Sequence, residues 1–295
     1  MKTSSIPRTL ARTTATRRLW RQLATAAAAL IAATAGTAVP AHAINGGEEA
    51  KKPYSFMSSL QGRADGKHFC GGTLIARQWI LTAYHCLEDH KAEDPDKLID
   101  PDTMQVRIGS NDKTRGGELR RVQRFVLPPG DDPDSNDIAL LKLDRPVGSA
   151  PAALPRTAPR PGDKVRILGW GDHLMPDKPG DPWPDNPQPR MLRQLDTRLI
   201  ERRHCPEIGG ELPPNSSSQL CVSSLPGAPW PQTSRAGDSG GPVLARTGGT
   251  WTVQGAASRG SASEQQHGIY TSVHAYAAWI HGVLKQDRIR ELAGK

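Results

Sequence analysis

The sequence has few cysteines, few aromatic residues and no long apolar segment. Only four of the 295 residues are Cys, and aromatic residues make up 5%. No Cys-x-x-Cys motif with a matching His spacing is present, which argues against a zinc site. No internal repeat of solenoid period is visible, and the apolar stretch at residues 23–39 is too short and too rich in Ala and Thr for a transmembrane helix. These absences argue against a zinc domain, a repeat protein and a membrane-spanning protein.

Acidic residues are absent from residues 1–43, although this segment carries six Lys and Arg. The whole chain has 38 Lys and Arg against 30 Asp and Glu, a net charge of +8, so the residues after 43 carry a net charge of only +2. An interpretation as a nucleic-acid or membrane-surface binder would depend on this positive charge alone. Because most of the charge belongs to the N-terminal segment, no nucleic-acid or membrane partner is predicted.

Residues 1–43 have the three parts of an export signal. A basic part ends at Arg21, an Ala-rich apolar stretch follows, and the small-residue motif Ala41-His42-Ala43 closes the segment. Because the basic part contains an Arg pair at residues 17–18, both the general secretory and the twin-arginine route remain open. We expect a cleaved signal peptide and a secreted, extracellular protein; the alternative is a disordered basic tail.

Export places the four cysteines in an oxidising compartment, where an even number favours two disulfide bonds over reactive thiols. Four cysteines allow three pairings. Cys70 and Cys86 are 16 residues apart, as are Cys205 and Cys221, whereas the two pairs lie far from each other in the chain. Two local loops are the simplest of the three pairings.

Short apolar or alternating runs, separated by Gly, Pro or Asp, dominate the rest of the chain. Such runs are typical of β-strands, and their density predicts an all-β sandwich or a pair of barrels. The runs are residues 55–61, 72–75, 79–83, 104–108, 122–127, 138–143, 164–168, 192–199, 241–244, 251–256 and 268–273.

Two segments are rich in proline. Residues 146–161 contain five prolines and predict a surface linker between two domains, residues 44–150 and residues 151–285. Residues 176–189 hold six prolines. Because Pro cannot donate a hydrogen bond to a strand ladder, the second segment is predicted to be an exposed loop insertion.

Near the C-terminus, residues 274–284 place apolar side chains on one helical stripe. The stripe predicts a helix packed on a barrel, with residues 286–295 as a tail; the alternative is a helix that binds a partner. Its members are Tyr276, Trp279, Ile280, Val283 and Leu284.

Three motifs contain a reactive side chain. His85 ends the predicted strand in residues 80–86, and Asp137 begins a strongly apolar strand. A carboxylate drawn into the interior in this way needs a partner. Ser239 lies among the glycines of residues 237–242. Taken singly, the first motif indicates a structural or exposed His and the third a simple β-turn.

Together, the three side chains can activate a weak nucleophile. The imidazole of His85 can take the proton of the Ser239 hydroxyl, while Asp137 fixes the imidazole tautomer and stabilises its charged form. The glycines let the backbone turn sharply, so that the N–H groups of Gly237 and Ser239 can point at a developing oxyanion.

In chain order and in local sequence, these motifs resemble the chymotrypsin/trypsin-like serine protease family. The resemblance runs from Ile44 to about Leu284 and includes the blocks around the catalytic His, Asp and Ser as well as two further landmarks. The matching blocks are residues 69–75, 81–86, 137–140, 169–171 and 237–242.

The resemblance implies two six-stranded antiparallel β-barrels, an active site in the cleft between them and a C-terminal helix. It implies His85 as general base and then acid, Asp137 as orienting carboxylate and Ser239 as nucleophile, with an oxyanion hole formed by the N–H groups of Gly237 and Ser239. It also pairs Cys70 with Cys86 and Cys205 with Cys221, in agreement with the spacing.

The family also has a characteristic activation step, in which a newly exposed Ile or Val amino group folds inward and pairs with the Asp before the nucleophile. Ile44 and the three residues after it resemble that N-terminus, and Asp238 matches the carboxylate. Because Ile44 directly follows the predicted signal cleavage site, our hypothesis is that signal removal itself creates the activating amine, without a separate propeptide.

The sequence departs from the family around the active site. Tyr84 replaces the small residue before His85, Arg235 replaces the Cys four residues before the nucleophile, and Arg259 replaces an aromatic residue. With Arg235 and Arg259 near the specificity pocket, both an acidic and an apolar substrate residue before the scissile bond remain open. The alternative is that both guanidinium groups point to solvent.

The pocket positions themselves argue against a preference for Lys or Arg. Thr233 stands at the pocket floor in place of an Asp that would attract a cation. Gly260 and Gly268 match small wall positions, which leaves the pocket open to a sizeable side chain, and Ser258 matches the residue behind the catalytic Asp.

The sequence therefore predicts a secreted serine endopeptidase that works through an acyl-enzyme, without a metal or organic cofactor. The expected partners are protein or peptide substrates and proteinaceous inhibitors, and the expected state is a monomer. The alternative is a catalytically inactive homologue that serves as a binding or regulatory module. The intact triad argues against this alternative, whereas Tyr84, Arg235 and Arg259 keep it open.

Overall fold

The computed structural model describes residue 44 and residues 47–94, 97–130, 137–173, 188–202, 218–223, 233–260 and 267–293. Within these ranges the chain forms thirteen strands and one α-helix. The elements are β1 (Glu48–Glu49), β2 (Met57–Gly62), β3 (His68–Ala76), β4 (Trp79–Thr82), β5 (Met104–Ile108), β6 (Glu118–Val126), β7 (Ala139–Leu143), β8 (Lys164–Gly169), β9 (Arg193–Ile200), β10 (Gln219–Ser223), β11 (Pro242–Thr247), β12 (Thr250–Gly260), β13 (Gly268–Ser272) and α1 (Ala277–Ala293).

Strands β2 to β7 form the first barrel, which is antiparallel and closed in the order β2-β3-β4-β7-β6-β5. Closure comes from β2, which pairs with β3 on one side and with β5 on the other. Strand β5 shows the alternation that places one face against a core: Met104, Val106 and Ile108 are buried, whereas Gln105 and Arg107 are partly exposed.

Strands β8 to β13 form the second barrel, in the order β9-β10-β13-β12-β11-β8. It closes through the pairing of β8 with β9. The two-residue strand β1 pairs with Arg193 and Gln194 at the start of β9. Its core is a separate cluster of buried side chains that includes Val165, Leu199 and Val243. Two closed antiparallel barrels confirm the expected fold class.

All eleven predicted runs coincide with strands, but β1 and β10 were not predicted. Strand β10 has Gln219 and Ser223 at its ends, so its apolar run is too short to indicate a strand. It becomes a strand because β9 and β13 pair with it from both sides.

The connection between the barrels, residues 144–163, contains the first proline-rich segment. More than half of its residues are exposed, as expected of a surface linker, and it is also bonded to both barrels. The N–H of Ala152 donates to the carbonyl of Leu74 in β3, and the N–H of Ala153 donates to the carbonyl of Trp251 in β12. The connection therefore ties the two barrels together.

Helix α1 packs its apolar stripe against a core cluster shared with the first barrel, as the periodicity predicts. Ile280 is fully buried, and Trp279 and Leu284 pack beside it. The helix continues to Ala293, so the residues assigned to a tail from 286 onwards are helical up to that point. The reason is a tertiary contact that the stripe does not show, because the buried Asp287 bonds to side chains of the first barrel.

Some predictions lie outside the described residues. They are the signal peptide at residues 1–43, most of the proline-rich insertion at residues 176–189, and Cys205. Cys221 is disulfide-bonded and buried on β10, but its pairing with Cys205 stays a prediction. Among the described residues, no helix combines the length and the apolar character needed to cross a membrane.

Candidate active site

His85 is positioned by the end of β4. The strand ends at Thr82, and a 3-10 turn, His85–Leu87, follows directly after Tyr84. Cys86 in this turn is disulfide-bonded to Cys70 on β3, with Cα atoms 6.2 Å apart. The turn is thereby fixed to the neighbouring strand, and the side chain of His85 keeps 32% exposure to solvent.

Asp137 contacts His85 twice. Its Oδ2 lies 2.9 Å from Nδ1 of His85, and its Oδ1 accepts a hydrogen bond of 3.0 Å from the backbone N–H of the same residue. Asp137 is buried at the start of the segment that leads into β7, as its apolar neighbours predict. Because an ionised carboxylate can only accept, Nδ1 carries the proton and Nε2 carries the lone pair.

Burial and charge act in opposite directions on this pair. Burial lowers the pKa of His85, but the hydrogen bond and the negative charge of Asp137 raise it above the ordinary imidazole value overall. Burial raises the pKa of Asp137, whereas its contacts with His85 and Ser258 bring it below the ordinary carboxyl value overall. The pair therefore stabilises the imidazolium that forms once His85 has accepted a proton, and the carboxylate beside it stays ionised.

Asp137 is also bound to the second barrel. Thr271 Oγ1 on β13 donates a hydrogen bond of 2.8 Å to the backbone carbonyl of Asp137. Ser258 on β12 is close enough to Asp137 to lower the pKa of its carboxyl. The two barrels therefore meet at the His85–Asp137 pair.

The loop that carries Ser239 packs tightly on the first barrel. The N–H of Gly71 in β3 donates to the carbonyl of Ser239 over 2.7 Å. Gly240 has φ of 71°, and a Cβ atom there would collide with the backbone of Gly71 and Ala83. Only glycine fits such a position. The partly exposed Ser239 is thereby held at the end of β4, where His85 also lies.

His68, which no motif in the sequence singled out, supports the same loop. Its Nε2 donates to the carbonyl of Gly237 over 2.9 Å, and its Nδ1 lies 2.8 Å from Ser59 Oγ. The ring packs edge-on against Trp170, with centroids 5.5 Å apart. Burial lowers the pKa of His68 to about 4, so the ring is neutral at ordinary pH. The only sequence signal was its place directly before the block at residues 69–75.

Asp238 is buried and forms no ion pair among the described residues. Its carboxylate accepts hydrogen bonds from the N–H groups of Gly171 at 2.7 Å and Arg235 at 2.9 Å. Burial raises the pKa of Asp238 to about 7, and the negative charge of Asp172 adds to the rise. A buried carboxylate of this kind favours a cationic partner.

Ile44 is also buried, with 1% exposure, and packs in the core of the second barrel. Its φ of 47° lies in the left-handed region, which β-branched residues rarely adopt. The intact chain is therefore strained at the point where the signal peptide is predicted to be removed.

The predicted pocket residues lie around the end of β12 and β13. Gly260 pairs with Gly268 across these strands. Thr233 is 1% exposed, and its Oγ1 occupies the space that a side chain at Gly268 would need. This hydroxyl has no hydrogen-bond partner within the described part of the chain.

Arg235 and Arg259, the two cations expected near the pocket, have different surroundings. Arg235 is partly buried, which lowers its pKa, and the charges of Asp172 and Asp238 oppose that effect. The charge of Arg259 instead lowers the pKa of His85. Arg259 therefore lies close enough for its positive charge to act on the His85–Asp137 pair.

Tyr84, directly before His85, is partly buried. Its carbonyl accepts a hydrogen bond from the N–H of Leu87, and this bond closes the 3-10 turn.

One group of side chains at the site has the spacing of metal ligands. The potential ligand atoms of Cys70, His85 and Cys86 lie within 4.8 Å of one another. Both sulfurs, however, belong to the disulfide bond and are not available as thiolate ligands.

Two closed antiparallel barrels that meet at a hydrogen-bonded His–Asp pair are typical of one class of proteins, the two-barrel serine hydrolases. A model of the trypsin family matches residues 44–280. The chain therefore belongs to the trypsin family of serine peptidases, and its fold supports a peptidase function. The resemblance that the sequence motifs indicated is confirmed.

Proposed function

We propose that the protein is a secreted serine endopeptidase that hydrolyses peptide bonds through an acyl-enzyme intermediate. The observation that carries this proposal is the double contact of Asp137 with His85, at Nδ1 and at the backbone N–H. The packing of the Ser239 loop on Gly71 at the same place supports it further. The proposed chemistry needs no metal and no organic cofactor.

In the first half of the reaction, His85 Nε2 takes the hydroxyl proton of Ser239 while Oγ forms a bond to the carbonyl carbon of the substrate. The tetrahedral oxyanion then collapses and the C–N bond breaks. His85 gives its proton to the leaving amine, and the acyl group remains on Ser239 as an ester. Asp137 stays ionised and stabilises the imidazolium throughout.

In the second half, a water molecule replaces the amine. His85 takes one of its protons while the oxygen attacks the ester carbon, and the collapse of this intermediate breaks the bond to Oγ. The proton on His85 returns to Ser239. The products are the carboxylic acid and the regenerated enzyme.

The N–H groups of Gly237 and Ser239 are the proposed oxyanion donors. Gly237 has φ of 91°, a conformation that suits glycine, and its carbonyl is held by His68. Asp238, between the two donors, is held by two backbone N–H groups. Donors fixed in advance in this way stabilise the transition state without reorganisation.

Labelling with a fluorophosphonate probe tests the catalytic proposal. The secreted protein should be modified at Ser239, as located by peptide mapping, and a Ser239→Ala variant should not be labelled. Failure to label folded protein that starts at Ile44 would contradict the proposal and favour the inactive homologue, with Tyr84 as the obstruction to investigate.

Activation is proposed to follow from removal of residues 1–43. The new amino group of Ile44 would supply the cation that Asp238 lacks among the described residues. Cleavage also removes the carbonyl carbon that defines φ of Ile44, and with it the strained torsion. N-terminal sequencing of the secreted protein should begin at Ile44; any other start would overturn this proposal.

Thr233 and Arg259 support a substrate preference other than Lys or Arg. Thr233 offers a hydroxyl in place of a carboxylate. The positive charge of Arg259 lies close enough to His85 to lower the pKa of its imidazole. Both an apolar and an acidic residue before the scissile bond fit these observations. A peptide library separates them: Arg259→Gln should lower cleavage after Asp and Glu and leave cleavage after apolar residues unchanged. Dominant cleavage after Lys or Arg would contradict both the apolar and the acidic preference.

Secretion is proposed from the export motif at residues 1–43, and the disulfide bond Cys70–Cys86 supports it because such bonds persist in oxidising compartments. Protein or peptide substrates follow from the family, and proteinaceous inhibitors and a monomeric state are proposed with them. Fractionation of cells and medium, with N-terminal sequencing of the product, tests secretion directly.

A further inference from the structure

A cationic depression lies on the outer face of the second barrel. Its volume is about 500 Å³, within the range of small-ligand sites. Among its apolar lining residues, Val165 and Leu244 are buried in the cores, and Trp251 stays partly exposed. The basic residues that line it are Lys164, Arg166, Arg198 and Arg246.

Arg166 and Arg246 are held in place by contacts inside the site. Arg166 forms a bidentate pair with Asp196, through bonds of 2.6 and 2.5 Å, and donates to Tyr54 Oη over 2.8 Å. The guanidinium carbons of Arg166 and Arg246 lie 5.3 and 5.2 Å from the ring centroid of Trp251. Asp196, the one acidic residue of the lining in the part of the chain that the structure describes, is therefore already paired.

The charges of Lys164 and Arg198 are not neutralised by a salt bridge of this kind among the described residues. They face each other directly across the β8–β9 pairing, and both are exposed. Neither side chain forms a hydrogen bond or an ion pair within the described ranges. Like charges directly opposite each other destabilise a sheet. An anion bound between the two side chains would remove their repulsion.

We propose that this depression is a binding site for an acidic peptide segment. Carboxylates of the peptide pair with Lys164, Arg198 and Arg246, since guanidinium groups bind carboxylates in a bidentate geometry. An apolar side chain between the carboxylates packs on the exposed part of Trp251. This partly exposed indole favours a peptide over a purely charged polymer, which would leave the indole uncovered.

The site is separate from the proposed active site. Lys164 begins β8, and Gly169 at the other end of the strand packs beside Asp238. Five residues of strand correspond to about 16 Å. The site thus goes beyond the proposed peptidase function, and its occupancy does not depend on catalysis.

Fluorescence anisotropy with two labelled peptides tests the proposal, with the full secreted chain carrying Ser239→Ala so that neither peptide is cut. The probes are Glu-Glu-Leu-Glu-Glu and its uncharged counterpart Gln-Gln-Leu-Gln-Gln. Only the Glu peptide should bind, and its affinity should fall as salt is raised. Equal binding of both peptides, or no binding of the Glu peptide, would overturn the proposal.

Lys164→Glu separates a binding role from a structural one. It converts the like-charge pair with Arg198 into an opposite-charge pair, so the melting temperature should rise by about 1–3 °C. Affinity for the Glu peptide should nevertheless fall about tenfold or more. The matched control is Arg156→Glu, which reverses an exposed charge in the connection between the barrels and should leave affinity unchanged.

Three results would contradict the proposal. The first is an affinity for the Glu peptide that is unchanged in Lys164→Glu, and the second is an equal loss of affinity in Arg156→Glu. The third is that the protein does not bind the Glu peptide but binds a DNA or heparin fragment, and that Lys164→Glu abolishes this binding. If Lys164→Glu folds poorly, the neutral variant Lys164→Gln replaces it. We expect Lys164→Gln to show the same loss of affinity for the Glu peptide, and unchanged affinity would contradict the proposed site.

Discussion

Among single residues, Asp137 has the largest influence on the chemistry of His85. Its hydrogen bond and its charge overcome the effect of burial and raise the pKa of His85. A general base must be neutral, so activity should rise with pH as His85 loses its proton, around a pKa above the ordinary imidazole value.

We predict that Asp137→Asn lowers kcat about 10⁴-fold, because the tautomer of His85 is no longer fixed and its imidazolium is no longer stabilised. Burial, which lowers the pKa of His85, is then opposed only by the smaller effect of the Glu88 charge, so the acidic limb of kcat/KM against pH should move to lower pH. A matched control is Asp144→Asn, whose carboxylate pairs with Arg121 in the first barrel. An unmoved acidic limb would contradict the prediction.

His68 is a second residue with a testable role, that of positioning the Gly237 carbonyl. His68→Leu leaves Gly237 O and Ser59 Oγ without this partner, at a cost of about 1–3 kcal/mol for an unsatisfied buried group. We expect kcat to fall more than KM rises, and His68→Gln, which can still donate, to recover part of the loss. Equal activity of the Leu variant and wild type in a steady-state assay would rule out this role.

Among the secondary-structure elements, α1 and β7 share an ionic contact. Lys142 lies in the middle of the buried strand β7 and donates to Asp287 of α1, which also accepts from Trp79 Nε1 over 3.0 Å. Both charged side chains are 9% exposed. Lys142 also pairs with the more exposed Glu291 over 3.3 Å, so Asp287 is its buried partner among the described residues. Removal of one buried charge leaves the other without its counterion.

We predict that Asp287→Leu destabilises the protein by about 3–5 kcal/mol, because Lys142 then loses its buried partner. Lys142→Met should be similarly destabilising. In urea unfolding, the double variant should lose less than the sum of the two single losses, since neither buried charge is left unpaired and Trp79 Nε1 alone loses its acceptor. Additive losses in the double variant would show that the two side chains act independently.

At the scale of the whole molecule, the state of the N-terminus should change how stability depends on pH. The pKa of Asp238 is raised to about 7 in the chain before cleavage. The folded state therefore holds this proton more strongly than the unfolded state, and stability falls as pH rises between the ordinary carboxyl value and about 7. With a free Ile44 amine, the carboxylate gains an ammonium partner and its pKa falls.

We therefore predict that the melting temperature of the uncleaved chain falls by several degrees between about pH 4 and pH 7, whereas the form that begins at Ile44 shows no such fall. Asp238→Asn should flatten the curve of the uncleaved chain. Thermal melts of the three proteins at a series of pH values test this, and parallel curves for the two wild-type forms would refute it.

The strands and the motifs were predictable because their signals are local. Alternating apolar residues indicate a strand wherever it pairs, and the blocks around His85, Asp137 and Ser239 are each a few residues long. Strand β10 and the last turns of α1 were not predicted, because they depend on pairing partners and on Lys142, far away in the chain.

The sequence by itself determined the two-barrel fold class, the family and the reactive residue types, since a period of two and short ordered motifs carry that information. Only the tertiary structure decided which groups meet. It brought Asp137 to His85 across 52 residues and His68 to Gly237 across 169 residues. It also placed Lys164 opposite Arg198. Such contacts depend on strand register and barrel closure, which no local pattern contains.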